Sequence, residues 1–198
     1  MLDEDCDSYA FDSSKCYGFT NRIITTTPTT VNLKALYYEN KGALGRNLAA
    51  GKPSSQNGLY DGHGSQGNYT AKMANDDSRV PEPNGLLGSC SHLGYSSYAN
   101  TIWWKVDLED VYRITNVALL ARKDPFPSEL EHLKIAVGRT STGNFIDCVV
   151  DTGPGFYGEM RSFACTVPIT GQYVQVSKYT SGWTFTLCEL EVFGEPKP

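Results

Sequence analysis

The sequence predicts an all-β protein built as an antiparallel β-sandwich, and three observations carry that expectation. Short runs of alternating apolar and polar residues recur between breaks rich in Gly, Pro, Asn and Ser. No stretch shows a convincing amphipathic helical period. The alternating runs each present one apolar face, and such faces must bury against one another, because a lone sheet would leave one face wet.

The chain opens on a different composition. Residues 1–42 hold the acidic group Asp3, Glu4, Asp5 and Asp7, the nearby cysteines Cys6 and Cys16, and the run TTTPTT at 25–30. They read as an N-terminal extension or linker with a small cysteine loop, and a boundary falls near Gly42–Gly45. The domain proper is expected over 43–198. In it Trp104–Leu108 alternates, with Trp104, Val106 and Leu108 on one face and Lys105 and Asp107 on the other. Ile114–Leu120 is richer in apolar residues and reads as a buried strand. Leu133, Ile135 and Val137 alternate again, and Phe145–Val150, Phe163–Val167, Tyr173–Val176 and Leu187–Phe193 complete the series.

Composition narrows the function. Net charge is -5, and Lys and Arg are scattered, so neither nucleic acid nor an anionic membrane surface is an expected partner. No apolar run approaches the length of a membrane span. The first residues lack the basic and apolar segments of a signal peptide. Six cysteines with no C-x-x-C spacing point to disulfides in an oxidising compartment rather than to zinc, and sequence alone leaves all of about 15 connectivities open. Asn68-Tyr69-Thr70 is a glycosylation sequon in a Gly-rich stretch. GHGSQG at 62–67 matches G-x-G-x-x-G but lacks the strand before and the helix after, so it reads as a loop. Asp3, Asp5 and Asp7 begin like a calcium loop, but Ser8 and Ser14 stand where Gly and Glu are needed. Neither H-E-x-x-H nor G-x-S-x-G occurs, and no enzymatic activity is expected.

From residue 46 onward several segments converge: RNLAAGKPSSQ, AKMANDDS, GSCSH, IWWKVDLEDVYRITNVALLARKD, LKIAVG and LCELEVFG. Together they resemble the F-type lectin (fucolectin) family within the discoidin-like, galactose-binding superfamily, over about residues 43–194. The resemblance implies an eight-stranded antiparallel jelly-roll β-sandwich behind the short N-terminal extension. It also implies disulfides Cys90–Cys188 and Cys148–Cys165, leaving Cys6 for Cys16.

A structural Ca²⁺ is implied as well. Asp76 and Glu189 match the family's side-chain ligands, Met73, Ser78 and Cys188 would give carbonyls, and Ser89 a carbonyl or hydroxyl. Ca²⁺ takes oxygen ligands, and two carboxylates neutralise it.

The implied sugar site departs from the family pattern of a His, then R-x-D, then a second basic residue. His92, Arg122 and Asp124 match. The spacing of 29 residues between His92 and Arg122 makes the loop at Gly94–Asn100 about three residues longer than the pattern. Pro125-Phe126 replaces a pair of adjacent cysteines, and Glu129 replaces the second base. Arg is donor-only and a carboxylate acceptor-only. Glu129 can therefore accept from sugar hydroxyls or occupy the fork of Arg122, while Phe126 can stack on a sugar face. Lys123 and Tyr95 are further candidate contacts.

These features imply a secreted, calcium-stabilised carbohydrate-binding module with an altered sugar site. Its partner would be a fucosylated or related glycan, with avidity from a homo-oligomer or a larger assembly. The alternative is a lectin-fold module that has lost fucose binding and joins an extracellular protein partner. A third reading, a lipid or matrix binder, is disfavoured by charge, its loop aromatics being Tyr95, Tyr98 and Phe126.

Overall fold

The computed structural model describes residues 45–58, 69–79, 90–94, 101–124, 127–178 and 184–197, and the backbone of two strands before them. The chain divides into two compact units, Met1–Gly45 and Arg46–Pro198. In the first, β1 (Tyr9–Asp12) pairs antiparallel with β2 (Lys15–Gly18), setting Phe11 across from Cys16. Cys6 lies outside the described residues.

The second unit carries eight strands among its described residues: β3 (Ser54–Gln56), β4 (Ser91–Gly94), β5 (Ile102–Leu120), β6 (Leu133–Gly138), β7 (Phe145–Asp151), β8 (Met160–Lys178), β9 (Thr184–Leu187) and β10 (Glu189–Pro196). All pairings are antiparallel, which is the β-sandwich the alternation predicts.

The two longest strands were expected as four. The runs at 104–108 and 114–120 fuse into β5, and those at 163–167 and 173–176 fuse into β8. The sequence breaks between them are real but are absorbed as irregularities of one continuous ladder. Register shifts between Asp107 and Tyr112, where Glu109 adopts a φ of 64° and its N–H donates to Asp107 Oδ1 at 2.8 Å. Such a bulge bends a strand and sharpens its twist without ending it.

The bend lets β5 and β8 serve two layers. Their segments Ile102–Asp107 and Tyr173–Lys178 pair with each other, with β3 on one side and β6 then β7 on the other. Their remaining halves pair with each other and with β10. Inward residues of both halves form one core: Trp104, Val106, Ile135, Val174 and Val176 from the first, Val117, Leu119, Phe163, Leu190 and Val192 from the second. Trp104 is fully buried, and its indole N–H is satisfied by the Ala71 carbonyl at 2.9 Å.

Both described disulfides have the pairing the resemblance implies. Cys148–Cys165 ties β7 to the irregular stretch of β8, and Cys90–Cys188 ties the start of β4 to the junction of β9 and β10. Leu120 and Met160 pack on the second. Beside it, β4 and β9 form a two-stranded ribbon of their own.

Candidate functional site

Four of the residues expected to hold sugar, His92, Arg122, Asp124 and Glu129, come together at the end of the sandwich where β5 terminates. Arg122 follows that strand directly. Its neighbourhood is strapped down by main-chain bonds: Ala121 N–H donates to the Glu159 carbonyl at 3.1 Å, and Gly158 N–H donates to the Arg122 carbonyl at 2.7 Å. Glu129 lies on a single 3-10 turn, Pro127–Leu130, anchored by the buried Leu130. His92 sits in β4 opposite Thr186 of β9, with Thr184 two pairs further along opposite Gly94.

Arg122 is held from two sides. Its Nε and Nη2 donate to the two oxygens of Asp124, the second at 2.5 Å. Its Nη1 donates to Glu129 Oε1 at 3.1 Å and Oε2 at 3.3 Å. Thr184 Oγ1 donates to the same Oε1 at 2.9 Å, and His92 Nε2 lies 3.9 Å from it. The Glu129 side chain is only 8 % exposed, against 23 % for Asp124 and 13 % for His92. Burial acts to lower the guanidinium pKa, but the bonds to Asp124 and the field of Glu129 outweigh it and hold Arg122 above its ordinary value. His92 is held below the usual imidazole range, chiefly by burial and further by Arg122, with Glu129 pulling the other way. The Tyr69 ring meets the imidazole edge-on at 5.6 Å.

Two contributors were not foreseen. Thr184 orients Glu129 from across the ribbon. Lys178 closes β8 only 2 % exposed, paired in register with Leu133 just beyond the Glu129 turn. Burial holds its ammonium below the ordinary lysine range, while Glu131 and Glu129 oppose that shift. A signal for Lys178 was present, since it continues the buried face of Val174 and Val176, and a lysine in that register needs a carboxylate nearby. Phe126, Tyr95, Asn68 and Ser89 lie outside the described residues. Lys123 is described, and no contact to the cluster is found for it.

A second polar cluster surrounds Glu189. Met73 belongs to the 3-10 turn Ala71–Ala74, and Asp76 and Ser78 follow it, the Ser78 N–H donating to Asp76 Oδ1 at 3.0 Å. Two glutamates on β10, Glu189 and Glu191, are both fully buried. Glu191 is paired with Arg79, Nη2 to Oε1 at 2.5 Å. Glu189 has no comparable partner: neither oxygen has a hydrogen bond of good geometry, and the Asp77 amide gives slight relief. Burial, then Asp76, Glu191 and Asp77, push its pKa up to about 9. An orphaned buried carboxylate facing a second one is what a bound cation would relieve. Among the described residues no three His, Cys, Asp or Glu side chains converge as a metal cluster. Asp76 and Glu189 are oxygen donors, of the kind that suits Ca²⁺ rather than zinc.

Comparisons with known proteins agree with this architecture. A family profile described as NedA-like, galactose-binding domain matches residues 73–176. The fucolectin of Anguilla anguilla is 35% identical over 128 residues, 63% of this chain and 77% of that protein. Fucolectin-4 of Anguilla japonica is 37% identical over 127 residues, 62% of this chain and 65% of its own length. Among solved structures, the serum fucolectin of Morone saxatilis superposes with a TM-score of 0.65 at 25% identity, over 78% of this chain and 49% of that one. A Streptococcus pneumoniae fucose binding module superposes at 0.60 with 26% identity, over 76% of this chain and 96% of its own.

Proposed function

The chain belongs to the F-type lectin (fucolectin) family of galactose-binding-like domains, and from that premise we propose that it is a carbohydrate-binding lectin domain whose glycan site is the cluster of His92, Arg122, Asp124 and Glu129. The observation that carries the reading is the convergence itself. Residues up to 37 positions apart in sequence meet at one end of the sandwich: Arg122 is hydrogen-bonded to Asp124 and Glu129, and His92 lies 3.9 Å from Glu129. Asp124 and Arg122 reach solvent most, His92 less, and Glu129 lies deepest. Polar groups placed in this way fix a ligand's orientation and give specificity.

The residues perform separable tasks. Asp124 and Glu129 fix the guanidinium plane, so its position costs no further ordering when a ligand arrives. His92, uncharged at neutral pH because burial lowers its pKa, offers a ring nitrogen that accepts or donates according to tautomer. The carboxylates accept from ligand hydroxyls. Ca²⁺ held by Asp76, Glu189 and main-chain oxygens of Met73, Ser78, Ser89 and Cys188 would neutralise buried charge and fasten the loop at 73–78 to β10. Disulfides and the relatives' class support a secreted protein with an extracellular site of action. No helix among the described residues is long and apolar enough to cross a membrane.

One observation favours the alternative of a lectin-fold module that joins a protein partner. The Arg122 fork is already engaged by Asp124 and Glu129, so fewer donors face a sugar. A glycan array, read with calcium and with chelator and beside Arg122→Ala, separates the two. Binding that disappears in a folded Arg122→Ala supports the lectin reading. Silence from a folded, multimerised wild-type sample overturns it.

A further inference from the structure

The cluster contains more acceptors than donors, and this has a consequence for the kind of glycan it accepts. Each carboxylate offers about four lone-pair directions, and a guanidinium five N–H donors and no acceptor. Asp124 spends two acceptances on Arg122. Glu129 spends three, two on Arg122 and one on Thr184. Acceptor capacity therefore remains on both carboxylates, and the more exposed of them, Asp124, stands at the rim. The guanidinium, in contrast, is engaged by both carboxylates, and Lys178 is buried at the end of β8, where Glu131 and Glu129 favour its charged form.

We propose that this site selects its glycan by accepting hydrogen bonds from it: hydroxyl or protonated amino groups of the sugar donate to Asp124 and Glu129, and glycans that present a carboxylate are discriminated against. Glu129 is the specificity-determining residue, and Thr184 is a positioning residue that keeps its Oε1 aligned. The inference rests on the reading of this cluster as the glycan site. Its physical basis is that a ligand carboxylate would meet two fixed carboxylates at close range with the one guanidinium already shared between them. Like charges in a partly desolvated pocket repel strongly, and rejection of wrong partners commonly works this way.

The test uses the full chain and three probe classes: neutral fucosylated oligosaccharides, the same oligosaccharides capped with sialic acid, and glucosamine-terminated oligomers. The expected order is neutral or amino-terminated glycans bound at least about tenfold more tightly than their sialylated counterparts. Glu129→Gln keeps the side chain's shape, and in it this ratio should fall about tenfold. Comparison of the neutral with the glucosamine probes then tells hydroxyl donors from ammonium donors. A readout independent of any ligand accompanies it. By NMR, His92 should titrate at a lower pH in Glu129→Gln than in the wild type, because Glu129 is a group that favours its charged form. Sialylated glycans bound as well as neutral ones, or a ratio unmoved by Glu129→Gln while His92 shifts as expected, overturns the proposal. Absence of all glycan binding in a folded wild type instead overturns the lectin reading beneath it.

Discussion

Replacing Glu189 by Gln should have effects that differ in kind with and without calcium. In the metal-free protein the Glu189 pKa stands at about 9, so at pH 7 the group is protonated in all but about one molecule in a hundred. Forcing it to ionise at that pH costs about 3 kcal/mol, two units at 1.36 kcal/mol each. Glu189→Gln is then nearly isosteric with the protonated acid, and in chelator at pH 7 its stability should match the wild type within about 1 kcal/mol. The pH dependence follows with its sign. A folded pKa raised above the unfolded value contributes stability that is complete below about 4.5 and is lost as pH rises toward 9. The chelated wild type should therefore weaken across that window, and Glu189→Gln should not show this component. Calcium reverses the order. A ligand at a hundred times its Kd stabilises by about 2.7 kcal/mol, or about 5–10 °C in Tm for a unit of this size. The wild type should gain that shift and Glu189→Gln should lose most of it. Differential scanning fluorimetry at three pH values, with excess calcium and with chelator, reads all of this. A variant that keeps the full calcium shift, or a wild type indifferent to stringent chelation, would refute the assignment of Glu189 as a ligand.

Other outcomes follow from the same geometry. Cys148→Ser with Cys165→Ser opens a bridge spanning 17 residues, and chemical denaturation should show a loss of about 3 kcal/mol. Burial keeps His92 below the ordinary imidazole pKa, so the folded state resists its protonation; stability should fall as pH drops below about 6.5, and His92→Gln should flatten that part of the profile. Gly171→Ala would place a Cβ 2.5 Å from Val137 Cγ1 and 2.6 Å from the Gly138 carbonyl, so β8 and β6 must separate; a destabilisation of about 1–3 kcal/mol is expected by thermal melting.

The fold was legible because strand alternation states which residues face inward. Trp104, Val106 and Leu108 were assigned to one buried face and occupy it. Strand ends were less legible. The loss of apolar alternation between Leu108 and Ile114 separates two runs, yet β5 continues through it because neighbouring strands hold both halves in one ladder. A local signal cannot report that. The short strands Ser54–Gln56 and Ser91–Gly94 were missed for a related reason. Apart from Leu93 their residues, Ser, Gln, His and Gly, have little strand propensity, and pairing partners far along the chain impose the conformation.

The site shows the same division at higher stakes. His92, Arg122, Asp124 and Glu129 could be named from spacing, and even the possibility that Glu129 occupies the Arg122 fork follows from donor and acceptor counts. What spacing could not supply is the answer from the other side of the fold. A carboxylate in place of a base would leave a site with one cation and two anions, and a chain carrying that change alone would bury net negative charge. Thr184 from β9 and Lys178 from β8 are the compensation, one donating to Glu129 and the other setting an opposite charge near it. Neither lies in the loop that carries the change. Because Thr184 and Lys178 belong to strands, elements beyond its own turn also act on Glu129. A functional polar group is best positioned in that way, and this argues that the altered residue is a built component of the site and not a defect tolerated at its edge.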